Sequence, residues 1–397
     1  MTQDRSARRQ VGVAVIGFGW MGQVHARAYS RLLQHYPGAP LQPRLVAVAD
    51  PEPSRRDLAV NAYGFEVAYA DWAEVIARDD VAVVSVTGPN YVHAEIGVAV
   101  AKAGKHLWVE KPVGRHLADT TDVVDAVRSA GVRSAVGFNY RNVPAVALAR
   151  DLITQGRLGR VETVTVRLLS DYAAHPDGML SWRFDPALAG TGVIGDLASH
   201  GLDLARYVVG PVAGEISEVV ADLATFITER PQPLDPAAPR STTLAGGPPG
   251  PVGNEDHVSA LLRFAGGARG VLESSRVAVG EQCTYGIEVH GDRGAVAWDF
   301  RRMGELRMCG VGPDGAFQDV AWHTRYVAPG DGELGAFQPG AGVAMGFDDL
   351  KVVEAERLLR SVAQQRPIGA TIEDALATAR TADALLRSAA ERRWVSV

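Results

Sequence analysis

Cysteine is scarce in this chain, whose 397 residues include only Cys283 and Cys309. No Cys-x-x-Cys pair or Cys/His cluster surrounds either of them. Neither a disulfide framework nor a structural zinc site is therefore indicated. This low cysteine content favours a reducing, cytoplasmic location.

The chain also lacks an excess of basic residues, because its 46 acidic residues outnumber its 40 lysines and arginines and give a net charge of −6. A partner such as nucleic acid or an anionic membrane is therefore not expected. No run of about 18 apolar residues occurs, so no membrane-spanning helix is expected. Arg8-Arg9 precedes an apolar stretch, but no small-residue cleavage site follows. Residues 1–10 are therefore predicted to be a disordered basic lead rather than a signal peptide.

A glycine-rich turn near the N-terminus is the most informative stretch that the chain does contain. The apolar run Val11–Ile16 leads into Gly17-Phe18-Gly19-Trp20-Met21-Gly22, and a helical pattern over Gln23–Tyr29 follows. Strand, glycine turn and helix in this order are typical of a dinucleotide site, where the backbone approaches a pyrophosphate at a helix N-terminus. A glycine turn in another α/β protein is the alternative.

An acidic residue, Asp50, ends the next apolar run, as expected of the residue that binds the adenosine ribose. It follows Gly22 by more than the usual spacing of about 20 residues, which we attribute to a turn-rich loop over Gln34–Pro43. Because Asp50 would repel a 2′-phosphate, NAD is favoured over NADP. Arg55 and Arg56 could soften this preference or simply begin a solvated helix.

Apolar runs alternate with helical segments as far as residue 138. The runs lie at 45–50, 65–69, 81–86, 106–109 and 133–138, and the helices at 54–63, 71–78, 91–103 and 115–130. This alternation predicts a doubly wound parallel Rossmann sheet in a domain of residues 1–140. Ligands bind beyond the carboxyl ends of such strands, which is where Lys111 of Glu110-Lys111-Pro112 falls. A solvated lysine is the alternative.

The pattern changes after residue 140. A helix is predicted over 143–156, and residues 161–169 alternate between polar and apolar as in a half-buried strand. Similar strands are predicted near 216–228, 257–264, 269–277, 284–290 and 294–300. Residues 141–397 are therefore predicted to form an α+β domain with an open, mostly antiparallel sheet. One sheet face is expected to be apolar enough to pair with another subunit.

Two stretches of this second half carry no clear pattern. Residues 230–256 are rich in proline and residues 310–345 in glycine. At least one of these loops is expected to border the active site or a subunit contact. Helices near 347–364 and 371–392 and a short strand at 394–397 are predicted to end the chain.

A second glycine-rich stretch, Gly190–Asp203, predicts a helix that carries chemistry. Asp196 and His200 are four residues apart and thus share one helix face. A carboxylate can orient an imidazole, and histidine suits the role of a general base near neutral pH. Asp203 is a second candidate partner. A metal site of these three residues, or a capping acid beside an ordinary histidine, are the alternatives.

The glycine turn, Glu110-Lys111-Pro112 and Gly190–His200 together resemble the Gfo/Idh/MocA family of glucose–fructose oxidoreductase and inositol dehydrogenase. The resemblance implies NAD(P)-dependent hydride transfer from a secondary hydroxyl of a sugar or cyclitol. It also implies homodimers or homotetramers formed through the sheet. Lys111, Asp196 and His200 would be the catalytic set. Phe138–Arg141 and Leu180–Phe184 further resemble a branch of the family that oxidises anhydro sugars.

The resemblance also implies the residues that surround cofactor and substrate. The cofactor would contact Gly17, Phe18, Gly19, Trp20, Met21, Gly22, Asp50, Thr87, Pro89, Asn90, His93, Glu110, Lys111 and Asn139. The substrate, lying between the domains, would contact Lys111, Tyr140, Arg141, Asp171, Trp182, Arg183, Asp196 and His200, with Asp203 a further candidate. Trp182 could equally pack in the core, and His25 and His93 are taken mainly as structural.

Two other functions remain open from the sequence. One is an enzyme that holds NAD tightly and uses it in a redox-neutral cycle on a glycoside or modified sugar. The other is a nucleotide-sensing protein that has lost its chemistry, against which the presence of Lys111, Asp196 and His200 together argues.

Overall fold

The computed structural model describes residues 9–234, 246–310 and 320–397. These residues form two compact units. The first contains residues 9–114, 118–142 and 345–376, and the second contains the described residues of 115–117, 143–344 and 377–397. The first unit thus takes in a segment from near the end of the chain. The domain boundary after residue 140 stays a prediction, and it did not include this return.

Seventeen strands and ten α-helices make up the described part of the chain. The strands are β1 (Arg9–Ile16), β2 (Leu41–Ala49), β3 (Val67–Tyr69), β4 (Val83–Val86), β5 (His106–Val109), β6 (Ser134–Val136), β7 (Val161–Leu169), β8 (Ile216–Ala224), β9 (Glu229–Pro231), β10 (Pro249–Pro251), β11 (His257–Phe264), β12 (Arg269–Ser275), β13 (Thr284–Gly291), β14 (Gly294–Asp299), β15 (Glu305–Gly310), β16 (His323–Tyr326) and β17 (Val395–Ser396). The helices are α1 (Trp20–His35), α2 (Pro53–Asn61), α3 (Trp72–Ile76), α4 (Asn90–Lys102), α5 (Leu117–Ala130), α6 (Pro144–Thr154), α7 (Pro186–Ala189), α8 (Ser199–Ala213), α9 (Phe347–Gln364) and α10 (Ile372–Glu391).

The first unit is built on a six-stranded sheet in the order β3-β2-β1-β4-β5-β6. Every neighbouring pair is parallel. The central strands are apolar because both faces are covered, and β4 is buried at all four positions. The predicted doubly wound parallel sheet is confirmed.

One predicted loop of this unit, residues 34–43, is shorter than expected. Helix α1 continues to His35 and β2 already begins at Leu41, with Pro43 opposite Val11 of β1. Strand β3 pairs only with Ala47–Ala49 of β2. Pro43 therefore lies at a free edge on its other side, where its missing N–H does no harm.

Helix α9 packs against α1 within the first unit. Two ion pairs join them, Arg27 Nε to Asp348 Oδ2 at 2.5 Å and Arg31 Nη2 to Asp349 Oδ1 at 2.7 Å. The ring of Phe347 stacks on Trp20 at 5.3 Å. These contacts bind the late segment to the helix that follows the glycine turn.

The second unit is built on a nine-stranded sheet in the order β16-β15-β14-β13-β7-β12-β11-β8-β17. Its neighbours are antiparallel except for β7 and β12, which run parallel. The predicted α+β architecture with a mostly antiparallel sheet is confirmed. Along β7, Val164, Val166 and Leu168 are buried and alternate with exposed residues, and α8 packs against this strand.

The exposed face of this sheet carries both polar and apolar side chains. It carries an ion pair between Arg167 Nε and Glu273 Oε2 at 2.9 Å. Leu261 and Val271 are apolar residues of this sheet that are half-exposed, at 49% and 44%. Assembly through this face stays a prediction.

The two unassigned loops contain strands that the sequence pattern did not reveal. Strands β9 and β10 pair within the first loop. Strand β16 lies inside the second loop and pairs with β15, which ends where that loop begins. The segments 235–245 and 311–319 of these loops, and residues 1–8 of the predicted lead, lie outside the described residues. Among the helices that the structure describes, none combines the length and apolar character needed to cross a membrane.

Candidate active site

The glycine turn between β1 and α1 is closely packed. Gly17 has a φ of +88° and donates its N–H to Ala49 O at 2.7 Å. A Cβ at Gly17 would lie 2.7 Å from Gly88 N, and one at Gly22 would lie 2.1 Å from Gly17 O. No larger residue fits at either position without a shift of backbone. Helix α1 can therefore begin close against the strand, as the fingerprint predicts.

The N-terminus of α1 suits a pyrophosphate. Its N-cap residue, Gly19, provides no capping side chain, and the first turn of α1 holds no acidic residue. A Cβ at Gly19 would meet nothing closer than Arg55 Nη1 at 3.9 Å. The N–H groups and the helix dipole are thus left for an anion. The pyrophosphate is the part of NAD that the residues present fit best.

Asp50 at the end of β2 organises the turn from the other side. Its carboxylate is 2% exposed and accepts the N–H groups of Phe18 at 2.6 Å and Glu52 at 2.9 Å. Arg55 Nη1 lies 3.5 Å from it, whereas Arg56 donates to the backbone oxygens of Asp50 and Pro51. Arg56 is therefore engaged by backbone rather than solvated, and a contact of Asp50 with ribose stays a prediction.

Residues that follow β4 form hydrogen bonds to the segments that follow β1 and β5. The Thr87 hydroxyl donates toward Gly17 O at 2.6 Å. His93 in α4 lies between two carbonyl oxygens, with Nε2 at 2.7 Å from Gly88 O and Nδ1 at 2.8 Å from Pro112 O. Burial lowers the pKa of His93, although both carbonyls act against this shift. His93 thus links the turn after β4 to the segment that carries Lys111.

Glu110 and Lys111 follow directly on β5. The Glu110 carboxylate is buried and contacts His25 Nε2 at 2.9 Å and Lys351 Nζ at 2.5 Å. Lys111 is partly exposed, and its peptide bond to Pro112 is cis. Both partners contact the same carboxylate oxygen, Oε1. The predicted contact of Glu110 with the cofactor stays a prediction.

In the second unit, Asp196 lies in a π-helical turn, Ile194–Ala198, that runs directly into α8. Turns of this kind occur often at functional sites. His200, in the first turn of α8, is 8% exposed, and Asp203 is 2% exposed. The expected helix is present, but it begins with a π-helical turn instead of the predicted α-helical one.

A tyrosine that sequence reasoning missed contacts Asp196. The Tyr172 hydroxyl donates to Asp196 Oδ2 at 2.5 Å. Although the residue is 42% exposed overall, its hydroxyl end is enclosed. Burial of this end and the charge of Asp196 raise the pKa of Tyr172 well above 10. Tyr172 therefore remains a protonated donor that fixes the Asp196 carboxylate. Its neighbour Asp171 was the residue predicted to act.

Three consecutive polar residues, Asn254-Glu255-Asp256, hold the segments around this turn. Glu255 Oε1 accepts the N–H groups of Gly192 at 2.8 Å and Ile194 at 3.0 Å, at the start of the π-turn. Asp256 forms a fully buried ion pair with Arg276 at 2.8 Å. They end one of the two unassigned loops, and their position just before a regular strand was the only sequence signal for them.

The predicted substrate residues have different surroundings. Arg141 is 7% exposed and pairs with Asp374 at 2.9 Å in the first unit, and Tyr140 and Asn139 are buried beside it. Arg183 lies over the Trp182 ring at 4.6 Å in a short 3₁₀ turn of the second unit. Of the predicted catalytic set, Lys111 belongs to the first unit, and Asp196 and His200 to the second.

Metal ligands were one alternative for Asp196, His200 and Asp203. Across residues 9–234, 246–310 and 320–397, no group of three or more histidine, cysteine, aspartate or glutamate side chains is placed to hold a metal ion.

Known proteins resemble this chain over almost its whole length. Levoglucosan dehydrogenase of Pseudarthrobacter phenanthrenivorans is 35% identical over 98% of both chains. Inositol 2-dehydrogenase of Rhizobium meliloti is 29% identical over 98% of this chain and 99% of the relative. A solved levoglucosan dehydrogenase in complex with NADH and levoglucosan matches with a TM-score of 0.89, 34% identity and coverage of 98% and 100%.

Family models match both halves of the chain. Residues 11–138 match the NAD-binding Rossmann fold of an oxidoreductase family, and residues 146–297 match the GFO/IDH/MocA C-terminal domain. These matches agree with the parallel sheet of the first unit and the open sheet of the second. The chain therefore belongs to the Gfo/Idh/MocA family and is an NAD-dependent oxidoreductase.

Proposed function

We propose that this protein is a dehydrogenase that oxidises a secondary hydroxyl of a sugar or cyclitol. Lys111, Asp196 and His200 are its catalytic residues. An anhydro sugar such as levoglucosan and an inositol are the two substrates to test first, since they are the substrates named for its relatives. The cytoplasmic location and the homo-oligomer expected from the sequence stay predictions.

The observation that carries this proposal is the π-turn of residues 194–198. It brings Asp196, fixed by the Tyr172 hydroxyl, and buried His200 into one short segment whose start is held by Glu255. A carboxylate fixed in this way, four residues before an imidazole, supplies the two groups that removal of a hydroxyl proton requires.

Each residue has a distinct role in this proposal. When bound, NAD supplies the hydride acceptor. His200 accepts the proton of the substrate hydroxyl, and Asp196 orients the histidine or a neighbouring hydroxyl. Lys111 donates a hydrogen bond to the reacting oxygen and stabilises the negative charge that develops there.

Formation of NADH, followed by its absorbance, tests the proposal on a panel of levoglucosan, myo-inositol, scyllo-inositol, glucose and xylose, with NADP in parallel. His200→Asn and Lys111→Met are expected to lower kcat by about 100-fold or more. His323→Asn and Lys102→Met, at exposed positions, are the matched controls and should keep the wild-type rate.

Turnover of one polyol that both variants abolish would support the proposal and select its substrate. Undiminished turnover in His200→Asn and Lys111→Met would contradict the assigned residues. Cofactor that stays bound through purification, without net NADH release on any polyol, would favour the redox-neutral alternative instead.

A further inference from the structure

A group of buried ionisable side chains in the first unit has no part in the proposed reaction. The side chains of Glu110, Lys351 and Glu354 are at most 9% exposed. Lys351 Nζ lies 2.5 Å from Glu110 Oε1 and 2.8 Å from Glu354 Oε2. His25 Nε2 contacts the same Glu110 oxygen at 2.9 Å. We call these four residues the Glu110 cluster.

The ring of Trp108 lies against the Glu110 cluster. His25 stacks on this indole at 3.6 Å, and Lys351 Nζ lies 5.8 Å from its centroid. Burial lowers the pKa of His25 to about 4, so the ring is neutral near pH 7. Burial opposes ionisation of Glu110, yet the charge of Lys351 and the contact with His25 hold its pKa well below the usual range. Glu110 and Lys351 therefore form the ion pair at the centre of the cluster.

Stability alone does not account for such a pair. A buried ion pair usually contributes no more to stability than apolar side chains of the same volume would. In some proteins a buried pair fixes one geometry instead, and here the geometry concerned is that of the chain at the end of β5. The backbone N–H of Glu110 also bonds to Val86 O at 3.0 Å. Both the side chain and the main chain of Glu110 are thus fixed.

Lys111 is the next residue in the chain. On its other side, His93 contacts Pro112 O at 2.8 Å. Lys111 itself is partly exposed, whereas its two neighbours are tied to helices α1, α4 and α9. The cluster thus determines where the backbone of Lys111 lies, although none of its charged groups need touch a substrate.

We propose that Lys351 is a positioning residue for Lys111, acting through the Glu110 carboxylate. This inference rests on the proposed function, in which Lys111 stabilises the reacting oxygen. A displacement of about 1 Å of a reacting group can lower a rate by about 100-fold. Loss of the cation in Lys351→Met should therefore lower kcat while the affinity for the cofactor changes little, because Lys351 is not among the predicted cofactor contacts.

The test compares the wild type with Lys351→Met, Glu110→Gln and the double variant, all in the full-length protein. Lys351→Met leaves Glu110 as a buried charge without its cation, so it should lower both kcat, by about 10- to 100-fold, and the melting temperature. The double variant removes both charges. We expect its melting temperature to recover while its kcat stays as low as that of Lys351→Met, and Lys351→Met itself should keep the KM for NAD within about twofold of the wild type.

Lys105→Met is the matched control. Lys105 is also a buried lysine of the first unit, and its Nζ donates to Arg78 O at 2.6 Å and Val81 O at 2.7 Å, just before β5 begins. This variant should lose stability without a comparable loss of kcat. If Lys351→Met does not fold, the double variant still decides the matter.

Recovery of kcat together with stability in the double variant, or an unchanged kcat in Lys351→Met, would overturn the inference and leave Lys351 a structural residue. Lys111→Met separates this failure from that of the proposed function. If Lys111→Met is inactive while Lys351→Met is not, only the positioning role fails. If Lys111→Met retains full activity, the proposed function fails with it.

Discussion

Glu354 and Glu110 lie in the same buried cluster, yet their carboxyl groups shift in opposite directions. Burial raises the pKa of Glu354 to about 7, which the nearby charge of Lys351 only partly offsets. The pKa of Glu110 is held low instead. One lysine therefore keeps one of two neighbouring carboxylates ionised, and the other holds its proton near neutral pH.

This difference predicts how stability depends on pH at Glu354. The folded protein keeps the proton up to about pH 7, whereas the unfolded chain releases it near the ordinary value of 4.5. Stability from this group is thus fully present below pH 4.5 and is lost as the pH rises through 7. Between these two pH values the group should lower the free energy of unfolding by on the order of 3 kcal/mol, and Glu354→Gln should abolish this decrease.

Urea denaturation at about pH 5 and about pH 8 measures this effect. The unfolding free energy of Glu354→Gln should fall less over this interval than that of the wild type. Glu95→Gln, at an exposed position of α4, controls for the loss of one acidic group. An equal fall in unfolding free energy between the two pH values in the wild type and in Glu354→Gln would contradict the raised pKa.

Among the elements, the π-turn before α8 depends on a side chain from a distant part of the sequence. Glu255 lies 61 residues from Ile194, whose N–H it accepts. Burial raises the pKa of Glu255, whereas the N–H groups of Ile194 and Gly192 act against this shift. We expect the turn to require the oxygen acceptor more than the charge.

Replacement of Glu255 should therefore depend on whether an acceptor remains. Glu255→Ala leaves two buried N–H groups without this acceptor, which costs about 1–3 kcal/mol each, and should lower kcat by displacing Asp196. Glu255→Gln keeps an oxygen at the same distance and should retain most of both properties. Urea midpoints and kcat measure this difference. Equal damage in the two variants would mean that the charge itself is needed.

The sequence predicted the elements whose pattern is local. Strand β7 and helix α9 have the predicted bounds, 161–169 and 347–364, because periodic burial fixed both. The π-turn and the pairing of β9 with β10 could not be predicted in this way, since their hydrogen-bond partners come from distant segments. The roles of Tyr172 and Lys351 could not be predicted either, because they depend on contacts with Asp196 and Glu110.

For the molecule as a whole, the return of residues 345–376 to the first unit is the main departure from a linear domain order. These residues bring the arginine partners Asp348 and Asp349 to α1, and Lys351 to the Glu110 cluster. The Rossmann sheet has all six strands without these residues, but buried Glu110 then lacks its ion-pair partner.

A fragment that ends at residue 142 should therefore be unstable and bind NAD poorly. The same fragment joined by a flexible linker to residues 345–376 should regain a cooperative thermal transition and NAD binding. Circular dichroism and calorimetry measure both properties. A stable, NAD-binding fragment without the added segment would show that α9 is dispensable for the first unit.

Because the ribosome makes the chain from its N-terminus, Lys351 is synthesised 241 residues after Glu110. From residue 136 onward, which is most of that interval, the nascent chain carries the glycine turn and all six strands of the sheet, but not the lysine that pairs with Glu110. The nucleotide-binding half, although encoded first, is thus completed almost last. A message truncated before α9 would yield a polypeptide with every dinucleotide signature and no finished site.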